Sequence, residues 1–135
     1  MRVEHWESKL QDYIQDCREK VFEYGVFDCC VFTIQAQKLI IGKTLFPEFD
    51  NTYGSLEEGK KILKDIGFKT WISACNKRLK KIDIKFAQRG DVVSMNTQDS
   101  FIMGLCMGKH AIFVSEEKGL VFLPIEQVKL AWSIE

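Results

Sequence analysis

The run from Cys29 to Ile41, CCVFTIQAQKLII, is apolar on nearly every side when wound as a helix. A helix without a polar face belongs in the centre of a domain, so the rest of the chain must form a shell around it. Asp28 is a good N-cap for this helix and Gly42 a good stop. A chain of 135 residues, 46% of them hydrophobic, can supply the shell. Neither repeats nor linker-like stretches divide it, and the sequence predicts one domain over residues 1–135.

Before this helix, Trp6, Leu10, Tyr13, Ile14, Cys17 and Val21 recur at steps of three and four, predicting an amphipathic helix over Val3–Val21. After it comes a loop through Pro47 and Phe49. Ser55-Leu56-Glu57-Glu58 then has capping-box spacing and should open a third helix ending near Gly67. A shorter helical piece is predicted over Thr70–Leu79. Beyond Gly90 the period changes. Five short runs rich in Val, Ile and Phe follow: Asp91–Met95, Phe101–Gly108, Ala111–Ser115, Gly119–Leu123 and Ala131–Ile134. Asn96, Gly108-Lys109, Glu117-Lys118-Gly119 and Pro124 bound them as turns. Strands so closely spaced pair antiparallel, as a meander or small barrel. The expected fold is α+β, with N-terminal helices and a central buried helix packed on a small C-terminal antiparallel sheet or barrel.

Nineteen basic and nineteen acidic residues cancel, so nothing draws the chain toward nucleic acid or an anionic surface. No stretch approaches the ~18 apolar residues of a membrane span, and no signal peptide is expected. Five cysteines (Cys17, Cys29, Cys30, Cys75, Cys106) at irregular spacing suit reduced thiols in the core. With no CxxC and only His5 and His110, neither a metal nor a cofactor is expected. Lys77-Arg78-Leu79-Lys80-Lys81 with Lys85 reads as a solvated basic face, or as a docking patch for an acidic protein. Phe46 and Phe49 are open to two readings, core or exposed anchor.

Tyr24-Gly25-Val26-Phe27-Asp28-Cys29-Cys30 is the most informative string. A thiol in the first helical turn sits where backbone N–H groups and the dipole favour a thiolate. The same N–H groups could hold an oxyanion. Taken with Arg89-Gly90-Asp91-Val92-Val93 and Gly104-Leu105-Cys106-Met107-Gly108, in that order, the chain resembles NlpC-type peptidases of the papain fold. It is closer still to a family of unknown function encoded among phage tail-module genes. The matching segments there are Trp6, Tyr24–Cys29, Tyr53-Gly54-Ser55, Gly90–Val93, Gly119-Leu120 and Ala131-Trp132.

The resemblance puts Cys29 at the nucleophile position and implies a papain-like fold. It also places the catalytic histidine two residues before Gly104, where this chain has Ile102. The third catalytic position falls near Ile112 or Val114, both apolar. Isoleucine can neither form a thiolate nor protonate a leaving amine. His110 is the one replacement base in that half of the chain, and Asp28 reads as a helix cap. The resemblance implies a catalytically inactive protein made in a host cytoplasm and carried in the virion tail. Its partners would be other tail proteins, with contacts serving tail assembly or the tail tip. Two alternatives stand beside this. One is an active cysteine peptidase or amidase cutting peptidoglycan stem peptides with Cys29 and His110. The other is a small phage factor that binds a host protein.

Overall fold

The computed structural model describes residues 1–96 and 101–135. It is an α+β structure of four helices and six antiparallel strands. Helices α1 (Trp6–Cys17), α2 (Cys29–Ile41), α3 (Leu56–Asp65) and α4 (Trp71–Arg78) come first. The strands follow as β1 (Lys80–Ile82), β2 (Val92–Asn96), β3 (Phe101–Cys106), β4 (His110–Ser115), β5 (Gly119–Pro124) and β6 (Leu130–Ser133).

Helix α2 occupies the centre, as its sequence requires. Phe32, Ile34, Ala36 and Ile40 are wholly buried, and the helix packs against α1, β3 and β4. Phe32, Ile34 and Ile40 each contribute about 1.5–3 kcal/mol on leaving water. Its one wholly buried amide, Gln37, braces the next loop: its Oε1 accepts from the Thr44 hydroxyl and the Leu45 N–H. Gly42 takes φ 79° and ends the helix in the left-handed conformation open to glycine.

The sheet order is β1-β6-β2-β3-β4-β5. Strands β2 to β5 form the expected meander. The last strand, β6, crosses back and inserts between β2 and β1. β1 lies inside the basic cluster, where no apolar alternation announces a strand. Along β3 the side chains alternate. Phe101, Met103 and Leu105 face the main core with α2, while Ile102 and Cys106 join a second cluster on the other face. That cluster contains Val93, Ala111, Phe113 and Ala131, and Ile84 and Ile125 pack against it from two short 3-10 turns.

Several boundaries differ from the sequence expectation. α1 spans Trp6–Cys17 rather than Val3–Val21. At its start His5 has φ 62° and the Val3 N–H donates to Ile40 O, which pins the chain to α2. At its end the Lys20 N–H donates to Cys17 O, and Val21 leaves the apolar stripe 79% exposed. Asn96 continues β2 instead of turning. Phe46 and Phe49 are core, both at 0% exposure and packed against Trp71. Arg78 is not part of a solvated face, because its guanidinium grips both carboxylate oxygens of Glu48 at 2.6 and 2.8 Å.

Gly104 shows why the glycine-bearing string on β3 needs its glycine. A Cβ there would lie 2.5 Å from two ring carbons of Phe113 and 2.6 Å from Ile112 O. The ring of β4 fills the place of the missing side chain. Gly104→Ala should therefore cost about 1–3 kcal/mol, read from urea unfolding. Adding Phe113→Leu should recover part of the loss, because the shorter side chain gives way; no recovery would mean the ring is not the obstacle.

Candidate functional site around Cys29

Asp28 precedes α2 in an extended conformation and caps it: Oδ1 accepts the Val31 N–H at 2.8 Å. Its other oxygen, Oδ2, accepts the Gly25 N–H at 2.9 Å and the Tyr53 hydroxyl at 2.6 Å. One buried carboxylate thus joins the turn before α2, the helix itself and the segment leading into α3. Gly25, at φ 78°, lies so close to Tyr53 O that any Cβ would overlap it. The Tyr53 ring in turn rests on Gly59 of α3, where a Cβ would be 3.5 Å away. The two strings Tyr-Gly-x-x-Asp-Cys and Tyr-Gly-Ser are therefore halves of one joint. The capping role of Asp28 was legible from sequence; its tie to Tyr53 was not.

Cys29 is the first residue of α2 and is half-buried, with its thiol turned inward. Its Sγ donates to Val114 O at 3.2 Å. The β3–β4 register pairs Leu105 with Ile112 and Cys106 with Ala111. Continued, it would set Met103 opposite Val114, but the described pairing stops at Leu105, and the thiol takes the Val114 carbonyl instead. Burial pushes the Cys29 pKa up to about 11, and the Asp28 charge adds to the shift. The helix-start expectation of a lowered pKa is thus overturned, since desolvation outweighs the dipole. Neighbouring Cys30 is buried and also raised, and Cys75 is pushed up to about 12, both by desolvation first.

The other positions do not gather around this thiol. His110 is exposed at the start of β4, opposite Pro124. It stands four residues from Val114, about 13 Å along an extended strand. His5 is exposed before α1, 3.5 Å from Glu4. Ile102 lies on β3 opposite Met95, in the cluster on the face away from Cys29. A base at that position would point away from the thiol. The β3 residues that do face α2 are Phe101, Met103 and Leu105, and on β4 they are Ile112 and Val114. All are apolar. Among the described residues, no hydrogen bond links a histidine to Cys29.

Gly90-Asp91, the third string, also turns out to be a joint. The Asp91 carboxylate accepts the Gln88 N–H at 2.9 Å and the Ile134 N–H at 3.4 Å, with Arg2 3.4 Å away. Arg2 also donates to Arg89 O and to Glu135. A Cβ on Gly90 would lie 2.8 Å from the Arg2 guanidinium. Burial raises the Asp91 pKa, against the pull of those donors. Nothing in the sequence marked Arg2 as the partner.

Residues 1–134 match the family described as Domain of unknown function (DUF6950). The chain belongs to that family. No curated protein matches it. Among the described residues, no group of three or more His, Cys, Asp or Glu side chains could hold a metal ion, and no helix is long and apolar enough to cross a membrane. Chemically, the surroundings of Cys29 can hold a neutral thiol and a packed helix start.

Asp28→Ala should cost about 2–4 kcal/mol, from the lost cap and two orphaned donors, whereas Tyr53→Phe should cost about 1 kcal/mol. Urea unfolding of both single variants and the double variant measures the coupling; additive losses would show that the Tyr53–Asp28 bond does not act. The raised thiols carry a pH signature. A neutral thiol is favoured in the folded state, so its contribution is whole below the ordinary thiol value near 9 and is lost as pH rises toward about 11. The unfolding midpoint should fall between pH 9 and 11, and less steeply in Cys29→Ala.

Proposed function

We propose that this protein is an NlpC-type papain-fold relative from a phage tail module that has no peptidase activity and works through contacts with other tail proteins. The reading rests on one observation above the others. The residue at the nucleophile position spends its thiol on Val114 O and has its pKa raised, while the strand positions facing it are apolar. Acyl transfer by cysteine needs a thiolate and a proton donor for the leaving amine. The surroundings of Cys29 favour neither. The order of the elements agrees with the fold half of the proposal: a capped buried helix, then Gly-Asp opening the first long strand, then a glycine-bearing strand.

Under this reading Cys29 is a packing residue that kept the nucleophile's place. The strings shared with the peptidases persist because they hold α2, α3 and the sheet together. What the protein contributes to a tail is then a rigid surface, delivered in assembly or carried at the tail tip.

A thiol probe tests the proposal. With a pKa near 11 rather than 9, Cys29 should react on the order of 100-fold more slowly than an ordinary thiol at pH 7, and His110→Ala should change nothing. Rapid labelling at neutral pH that disappears in His110→Ala would overturn it in favour of a cysteine peptidase. Purified virions should contain the chain, and finding it only in the host cytosol would favour a factor acting on a host protein.

A further inference from the structure

We infer that β5 is a strand-addition edge through which two copies of this chain pair antiparallel about Phe122, continuing the sheet from one copy into the other. The described pairings leave two edges, β1 and β5. β1 is three residues long and carries two exposed lysines, a common protection against unwanted pairing. β5 is six residues long, GLVFLP, and has no charged side chain.

The hydrogen-bond parity shows which groups are free. The Ile125 N–H donates to Lys109 O at 2.9 Å, in the register that pairs Leu123 with Ala111 and Val121 with Phe113. Bonded and non-bonded pairs alternate in an antiparallel ladder. Val121 and Leu123 therefore spend their backbone groups on β4, and those of Leu120 and Phe122 point outward. The thiol contact agrees: Val114 faces Leu120 in a non-bonded pair, and its carbonyl turns away from β5 to accept from Cys29. Among the described residues, no hydrogen bond reaches the outward groups of Leu120 or Phe122. Lys20 O lies against Gly119 at one end of the strand, and the Arg18 guanidinium stands 5.4 Å from the centre of the Phe122 ring. The Phe122 side chain is 42% exposed.

The sequence of the edge fits a second copy. With Phe122 on a two-fold axis, the two Phe122 residues exchange both backbone bonds. Each Leu120 N–H meets the Pro124 carbonyl of the other copy, and the turn that carries Lys118 comes to the end where the other copy's 3-10 turn carries Glu126. The two Phe122 rings shield each other as a cross-strand aromatic pair. Zero net charge leaves no long-range repulsion between copies. The one free edge of β5 in each copy is used up in this contact, so assembly through it stops at a closed dimer. None of this depends on the tail reading.

Sedimentation equilibrium of the full chain from ~10 μM to ~1 mM, with amide exchange at the same concentrations, tests the inference. The mass should rise from 15.7 kDa toward twice that value. Exchange at Leu120 and Phe122 should slow by at least about 10-fold as it does, while Val121 and Leu123 stay slow throughout. Phe122→Lys should abolish the rise with its circular dichroism unchanged, and Leu120→Pro, which removes an outward N–H, should do the same. Glu126→Lys should weaken the dimer and Lys118→Glu should restore it. A monomer at every concentration would overturn the inference, as would a dimer that survives both edge variants. Protection of Leu120 and Phe122 only by an added foreign peptide would equally overturn it, since the edge would then serve another chain.

Discussion

Three donors converge on the Asp28 carboxylate, and the helical half of the fold depends on them. A buried carboxylate is costly unless its oxygens are satisfied. Here one oxygen holds the first turn of α2 and the other holds both the preceding turn and the segment before α3. Tyr53 cannot reach Asp28 unless Gly25 leaves room for its backbone. The joint fixes where α2 begins, and so fixes which residue meets the splayed end of the β3–β4 ladder. That residue is Cys29.

The fate of Cys29 shows two effects in competition. A helix start favours negative charge by a few tenths to about 1 kcal/mol at an exposed site. Desolvation of a thiol inside the domain is larger and has the opposite sign, and the Asp28 charge reinforces it. A cysteine at a helix start is therefore an ambiguous sign. Its reactivity is decided by the strand opposite, here by Val114 O and the apolar side chains beside it.

Much of the architecture was legible because it rests on periodicity. The all-round apolar run made α2 central, capping chemistry placed α3, and turn residues divided most of the strands. What escaped was set by distant partners. β1 is a strand because β6 returns to pair with it, and Lys80-Lys81-Ile82 has no local signal of its own. The ends of α1 are fixed by Ile40 O and by the turn at Cys17, neither visible in its stripe. Of the candidate site, the capping role of Asp28 and the helix-start position of Cys29 were readable. The face on which Ile102 lies was not, because side-chain parity is known only once the register is. Arg2 escaped for a similar reason: a lone arginine near Trp6 gives no hint that Asp91 and Glu135 will come to meet it.

The insertion of β6 between β1 and β2 bears on the order in which the protein can fold. Helices α1 to α3 and the meander β2–β5 are built from contacts between neighbours in sequence, which form early. Among the described residues β1 pairs with no strand except β6, and β2 keeps one side unpaired until β6 arrives. During synthesis the sheet therefore waits with an open gap for residues 130–133. The Ile134 N–H that completes Asp91 emerges only after them. A growing chain would present that gap as unpaired backbone, its most adhesive surface, until residues 130–134 have been made.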